Sequence, residues 1–250
     1  MSHPEPPPGS RPEGVHDEQE AARTVRRMFA RIVPRYDLLN RLLSLSFDRV
    51  WRRRTAQALA PRLAQEGSRA LDLCAGTGDL ALELRGRSRG LVVASDFVHP
   101  MLVRAAEKAG AQHRSLTLVE ADALRLPFAD GSFDVVTAAF GFRNLANYRR
   151  GLEEIYRALK RGGEVGILEF ALPQRGVFAR VYRFYFRRVL PRVGEWVSGV
   201  RGPYSYLPDS VERFPGCDEF SRWMEQAGFR QVSYQLWTGG TVALHRGLKV

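Results

Sequence analysis

The residues best suited to chemistry in this chain begin at Asp72 and the turn Gly76-Thr77-Gly78. In "LDLCAGTGDL", residues 71–80, apolar positions alternate into a glycine turn, and Asp79-Leu80-Ala81 opens a helix. A strand that runs through glycines into a helix lets backbone approach a bound nucleotide. Gly76-Thr77-Gly78-Asp79-Leu80-Ala81 also satisfies the dinucleotide pattern G-x-G-x-x-A. The acids bear on which cofactor fits. Asp72 and Asp79 flank the turn, Asp96 closes the next apolar run about 20 residues on, and Asp122 closes the one after. A pyrophosphate would face Asp72 and Asp79 at close range, where like charges repel. S-adenosylmethionine carries a sulfonium and an ammonium and no phosphate, so these acids favour it over NAD. Capping of the following helix is a second reading for Asp79. Asp96 is placed to hold both ribose hydroxyls, and Asp122 with Ala123 to lie beside the adenine. Phe97 and Phe140, at the ends of their strands, are expected to line the same cleft.

Those positions converge only if strands and helices alternate. The chain reads as strand "RALDLCA", helix 79–86, strand "GLVVASD", helix 99–109, strand "LTLVEAD", strand "FDVVTAAF", helix 148–160 and strand "GEVGILEF". Such alternation predicts an α/β fold with parallel strands and helices on both faces. The ligand cleft of such a sheet lies at the carboxyl ends of its strands. Before this core, residues 17–32 read as a helix. A further helical stretch follows with a break at Ser44–Asp48, Asp48 being a candidate N-cap. After Phe170 the pattern changes to a basic, aromatic helix over 176–190 ending near Pro191, then a loop through "GPYSYLPDSVERFPG". Helix 218–227 and a hairpin of "FRQVSYQLW" and "TVALHRGLKV" across Gly239-Gly240 close the chain. The sheet is therefore expected to be mostly parallel, with an antiparallel strand at its end. The expected organisation is a disordered proline-rich tail over 1–16 and one domain over 17–250. That domain divides into a helical cap (17–66), a cofactor core (67–170), a substrate- and membrane-facing insertion (171–216) and a C-terminal helix with hairpin (217–250).

A hydrophobic fraction of 44% is ample for a core. No run approaches the ~20 apolar residues of a membrane-spanning helix, and "MSHPEPPPGSRPEG" lacks a secretory pattern. With two cysteines far apart, Cys74 and Cys217, a reducing, cytoplasmic setting is expected. Cys74 reads as a small buried residue rather than a nucleophile. The five histidines show no ligand spacing with the cysteines, so no metal is expected, and His245 reads as structural. The net charge of +11 raises the question of nucleic acid, but no RNA-recognition signature is present and none is expected as partner. Arginine is concentrated in 23–54 and in "FARVYRFYFRRVLPRVGEW", mixed with apolar residues at helical spacing. Two readings stand: solvated helix faces, or contact with an anionic membrane surface.

The chain resembles the ubiquinone/menaquinone biosynthesis C-methyltransferase family. The glycine loop and "RGGEVGILEF" are shared by many methyltransferases. "YDLLN", "FGFRNL" and "YSYLPDSVERFP" are specific, and their order is right. The resemblance implies the class I methyltransferase fold, with a seven-stranded sheet and an N-terminal helical cap. It implies transfer of a methyl group from S-adenosylmethionine to a ring carbon of a polyprenylated quinol, either demethylmenaquinol or a methoxy-polyprenyl-benzoquinol. The alternative is another lipid-like or aromatic acceptor. Departures include Ser46-Phe47-Asp48 where the family usually has Gly-x-His, together with Phe142, Ala139, Asn147 and Ala171.

Carbon methylation of a hydroquinone needs the phenolate, which pushes electron density to the ortho carbon, and an in-line approach at about 3–3.5 Å. The loop "AAFGFRNL" opens onto the carboxyl-end cleft, so Arg143 is the first candidate to stabilise that phenolate, directly or through water; a surface salt bridge is the alternative. Asn144 is expected to orient the ring oxygen or that water, or else to be an N-cap or a turn residue. By resemblance, Tyr36, Asp37 and Asn40 close over the ring and the methionine end of the cofactor, with Asp37 as a helix cap the simpler reading. Tyr204 and Tyr206 are expected at the substrate mouth or in the core. A polyprenyl tail exposed to water costs ~0.8 kcal/mol per methylene. The enzyme is therefore expected at the inner face of the cell membrane, dipping Val181, Phe184, Tyr185, Phe186 and Leu190 into it.

Overall fold

The computed structural model describes residues 17–173, 176–190 and 203–250, together with residues 9, 10, 12, 15 and 192; side chains in the last stretch are described from 206. The strands are β1 (Arg69–Leu73), β2 (Leu91–Asp96), β3 (Thr117–Glu120), β4 (Phe133–Ala139), β5 (Leu159–Phe170), β6 (Arg230–Trp237) and β7 (Val242–Leu248). They form one sheet in the order β3-β2-β1-β4-β5-β7-β6. β1 runs parallel to both neighbours, with Leu71 beside Val93 and Val136. The sheet is the expected seven-stranded, mostly parallel one, with a correction of detail. The antiparallel strand β7 is inserted between β5 and β6 rather than at the edge. A hairpin folded back across Thr238–Gly240 needs its second strand against its first, and β5 supplies the other side.

Strand order reverses between β1 and β4, so their carboxyl ends diverge and leave a crevice there. One face of the sheet packs Phe133, Val136 and Ile167 with Leu152, Ile155, Phe220 and Met224 of α6 (Tyr148–Ala158) and α9 (Cys217–Gln226). The other packs Ala70, Val92 and Val135 with Ala56, Leu63, Leu80 and Leu84 from α2 (Phe47–Ala58), α3 (Ala60–Leu63) and α4 (Asp79–Arg85), and with Leu59 between α2 and α3. β1 and β2 are buried on both faces, as near-continuous apolar runs require. His245 is buried on β7, where its Nε2 donates to the Cys217 carbonyl at 3.2 Å. Burial lowers its pKa to about 4, so it is a neutral packing residue.

The N-terminal cap is longer than its spacing suggests. α1 runs from Glu18 to Leu43 through Pro34, burying Ala21, Val25, Ile32 and Leu39, and Asp17 caps it by accepting from the Glu20 N–H at 2.9 Å. The break comes at Leu45 and Ser46, both in the left-handed region. Asp48 is not the N-cap of α2: that position is Ser46, and Asp48 sits buried in the first turn. The proline-rich tail is not free throughout. Ser10 is buried, and its N–H donates to the Leu145 carbonyl at 2.7 Å.

The segment expected as a loop is a helix, α8 (Pro203–Arg213), with Pro208 inside it. Proline is tolerated at a first helical position. Burial of Val211 with Phe186 and Leu190, with Leu207 packed beside them, outweighs the bond lost at Pro208. This corrects the membrane-facing set as well. α7 (Gly176–Phe184) continues into a π turn, Tyr185–Val189, and Phe186 and Leu190 face inward at 2% and 3% exposure. The apolar residues left in solvent are Val177, Phe178, Val181 and Phe184. Pro191 and the Tyr204 side chain lie outside the described residues.

Candidate active site

At the β1–β4 crevice, Gly76, Asp96, Phe97, Asp122, Ala123, Phe140 and Asn144 line one cavity, with Tyr36 from α1 as its roof. Asp96 accepts from the backbone N–H groups of Gly76 and Val98, each at 2.8 Å, so its carboxylate is aimed by both flanking turns. Burial raises its pKa to about 6, although those two donors pull it down. Asp122 accepts from the Leu124 N–H at 2.9 Å at the exposed rim.

Asp72 and Thr77 line a small adjoining chamber with Tyr36, Arg52, Cys74 and Asp79. Asp72 is 1% exposed. Thr137 donates to its Oδ1 at 2.8 Å, and its Oδ2 is buried with no hydrogen-bond partner among the described residues. Burial raises its pKa to about 7, with the Thr137 hydroxyl, Arg52 and the Ala81 N–H opposing; that N–H is near the carboxylate but outside hydrogen-bond geometry to Oδ2. An orphaned carboxylate oxygen facing a chamber of this polarity fits a cationic group. S-adenosylmethionine carries its ammonium at one end and its ribose hydroxyls at a distance from it, so Asp72 and Asp96 fit the two. Cys74 lines both spaces, and burial, with Asp96 and Asp72 nearby, holds its thiol well above the usual range; it stays protonated.

Gly78 lines neither space. It caps α4 in the left-handed conformation, and a Cβ there would come 3.0 Å from that of Ala105. Asp37 likewise lines neither space. The Thr77 hydroxyl donates to it at 2.5 Å and Lys108 Nζ at 3.1 Å, while Lys108 also pairs with Asp79. This clasp ties α1 to the glycine turn and to α5 (His99–Ala111). Asp79 is thus a clasp member and not a cap. Burial alone would raise its carboxyl, but Arg52 and Lys108 outweigh that and leave it below the usual range.

A second, larger cavity of about 360 Å³ adjoins the first and shares Phe29, Tyr36 and Phe140 with it. Its wall is mostly apolar and aromatic, with Trp51, Phe170, Tyr182 and Phe186 among the lining, and Asn40, Arg143 and Tyr206 reach it as expected. Phe140 has a positive φ of 59°, backbone strain at the wall between the two spaces. Phe170 and Trp51 hold its ring at 4.7 and 5.8 Å between centroids.

Arg143 is no surface residue. It is buried in the short 3-10 turn Phe142–Asn144. Nη1 donates to Glu169 Oε1 at 2.9 Å and to the Phe140 carbonyl, Nε donates to Ser210 Oγ at 3.3 Å, and the Arg143 N–H reaches Glu169 Oε2 at 3.1 Å. Asn144 is a residue of that turn and not an N-cap; the cap of α6 is Asn147, which accepts from the Arg150 N–H at 3.0 Å. Asn144 accepts from the Tyr206 hydroxyl at 3.1 Å, and Tyr206 in turn meets Ser10 Oγ at 2.5 Å. The tail therefore closes onto the turn that carries both residues.

Sequence reasoning missed Phe29, Asp48, Arg52, Lys108 and Glu169. Glu169 carried a signal, because a lone acid in the apolar strand "GILEF" needs a buried partner. Asp48 and Arg52 are spaced i,i+4, which reads equally well as a surface pair.

The model of the ubiE/COQ5 methyltransferase family matches residues 15–249. Demethylmenaquinone methyltransferase of Thermus thermophilus is 52% identical over 88% of this chain and 99% of that protein. Demethylmenaquinone methyltransferase of Deinococcus radiodurans is 49% identical over 94% of this chain and 96% of that one. Among solved structures, a SAM dependent methyltransferase from Aquifex aeolicus superposes with a TM-score of 0.57 at 21% identity, covering 78% of this chain and 89% of that one, a likeness of fold.

Proposed function

The chain belongs to the ubiE/COQ5 methyltransferase family and is an S-adenosylmethionine-dependent C-methyltransferase of quinones; on that premise we propose that it converts demethylmenaquinol to menaquinol. The methoxy-polyprenyl-benzoquinol is its second acceptor. The observation that carries this reading is the aromatic-walled cavity of about 360 Å³ sharing a wall with the cofactor cleft and holding a buried arginine. When bound, the cofactor supplies an electrophilic methyl group on a sulfonium. Asp96 accepts from its ribose hydroxyls, Asp122 and Ala123 meet the adenine, and Asp72 takes the ammonium. Gly76 leaves room for close approach. In the acceptor cavity, Arg143 stabilises the oxygen anion of the quinol. Its guanidinium is held in place by Glu169, Ser210 and the Phe140 carbonyl, so no reorganisation is needed as charge develops. Asn144 lines the cofactor cleft and not this cavity; it accepts from the Tyr206 hydroxyl, which does line it, so it orients the ring oxygen from the cleft side.

The test is a transfer assay with labelled S-adenosylmethionine, offering reduced demethylmenaquinone and the methoxy-polyprenyl-benzoquinol side by side. Label in the naphthoquinol is the expected result. Label in neither, from protein that still binds S-adenosylhomocysteine, would direct the search to another lipid-like or aromatic acceptor.

A membrane-borne substrate also gives the exposed apolar residues a use. Leu45, Phe47 and Phe178 line the acceptor cavity and stand 75%, 44% and 50% exposed, so the cavity mouth has an apolar rim. Val177, Val181 and Phe184 extend it along α7, with Arg180, Arg183, Arg187 and Arg188 exposed beside them. Among the described residues no helix is long and apolar enough to cross a membrane. The reading is a peripheral seat on the anionic cytoplasmic leaflet, with the tail passing from bilayer to cavity. The protein is expected to sediment with anionic liposomes at low salt and to be released at high salt. Val181→Glu with Phe184→Glu should abolish sedimentation while turnover of a short-chain, water-soluble quinol stays unchanged. Wild-type protein that stays in the supernatant at low salt would end the membrane reading.

A further inference from the structure

Methylating the ring carbon of a quinol releases one proton, which passes to water directly or through a side chain at the acceptor cavity. The titratable side chains lining that cavity are Tyr36, Asp48, Arg52, Arg143, Tyr182, Tyr185 and Tyr206. The two arginines are donors only. Burial raises the hydroxyls of all four tyrosines above their ordinary range, so at neutral pH they too hold their protons. Asp48 is the carboxylate among the described lining residues. It is 4% exposed, an unusual place for a charge. The Ser44 hydroxyl donates to its Oδ1 at 2.9 Å and Arg52 Nη1 to its Oδ2 at 2.5 Å. Each carboxylate oxygen has a second lone pair, so both keep accepting capacity. Arg52 is also within the field of Asp79, and its charge remains countered when Asp48 is neutralised.

Resting on the quinol reading above, we infer that Asp48 is the proton acceptor of the reaction. The quinol O–H bond breaks toward Asp48, and its electron pair stays on the oxygen and feeds the ring. The ring carbon–methyl bond forms as the methyl–sulfur bond breaks with its pair to sulfur. Asp48 gives that proton to water at the cavity mouth, beside Leu45 and Phe47. It then carries the ring-carbon proton to the oxygen, which restores the aromatic ring. One proton leaves per methyl group transferred.

The experiment compares Asp48→Asn with wild type on short-chain quinols of graded O–H acidity, measuring kcat, S-adenosylhomocysteine affinity by calorimetry and melting temperature. A general base contributes on the order of 100-fold or more. The expected result is a kcat loss of about 100-fold on the least acidic quinol, shrinking as acidity rises, with S-adenosylhomocysteine affinity unchanged. Asp48→Glu, which keeps the carboxylate, recovers part of kcat. A merely structural role gives the same loss on every quinol, and that outcome, or no loss at all, overturns the inference. If Asp48→Asn, which leaves Arg52 to Asp79 alone, fails to fold, Asp48→Asn with Arg52→Gln removes both charges together. The acidity dependence is then read on that protein. Wild-type enzyme that labels no quinol would overturn the function beneath the inference, an outcome told apart because the defect is then in the unmutated protein.

Discussion

Arg143→Ala is expected to lose most of its turnover and much of its stability, and the two losses have separate causes. The stability loss comes from Glu169, which is 1% exposed and loses its counter-charge when the guanidinium is removed. Breaking a buried pair from one side costs about 3–5 kcal/mol, because the remaining carboxylate keeps only the backbone N–H groups of residue 143 and Phe170. The turnover loss comes from the developing phenolate, where one preorganised donor is worth about 10²–10³ in kcat. Arg143→Met with Glu169→Gln separates the effects. Glutamine keeps an oxygen for one of the N–H groups of Arg143 and Phe170 that Glu169 now serves, so most of the melting temperature returns. Turnover does not. Arg143→Lys with native Glu169 keeps the charge but loses the planar fork that reaches Glu169, Ser210 and the Phe140 carbonyl together. It should therefore fold well and turn over slowly. Recovery of turnover along with folding in the double variant would reduce Arg143 to a structural residue.

How far the sequence speaks for this site follows from the range of each interaction. Asp72, Asp96 and Asp122 were legible because strand ends in an alternating α/β chain must share one edge, whatever the side chains do in detail. Phe140 and Arg143 were legible for the same reason, lying just beyond β4. Asp37 was not, because its partners Thr77 and Lys108 lie 40 and 71 residues away and no local pattern joins them. Membership of the acceptor cavity was equally hidden for Asp48, since helical spacing says that it shares a face with Arg52 but not what that face meets. The helix over 203–213 was missed for an energetic reason: two prolines argue for a loop, and only burial of Val211 against Phe186 and Leu190 reverses the balance. That same packing turned Phe186 and Leu190 inward, when helical periodicity alone allowed either face.

Asp72→Asn is expected to make the unliganded protein more stable at pH 8 and the liganded one hard to obtain. The folded pKa of Asp72, raised to about 7 by burial, stands above the ordinary value of 3.8. Between those values the native state binds more protons than the unfolded chain. This group's contribution to stability is therefore full below about pH 4 and is lost as pH rises through about 7. At pH 8 the unliganded protein holds a buried carboxylate whose Oδ2 has no hydrogen-bond partner among the described residues, and asparagine removes that charge. Ligand binding runs the other way, because an ammonium requires the ionised carboxylate. S-adenosylhomocysteine, which keeps the ammonium, should bind more tightly as pH rises from 5 to 8, over the range in which Asp96 and Asp72 ionise. A charge-assisted hydrogen bond is worth about 1.5–3 kcal/mol, so Asp72→Asn should weaken the Kd roughly 10- to 100-fold at pH 8. It should also flatten that rise with pH. Calorimetry across that pH range reads both quantities. A wild-type Kd that stays flat between pH 6 and 8, or a variant that binds as tightly as wild type, would move the ammonium away from Asp72 and leave the orphaned oxygen to some other donor.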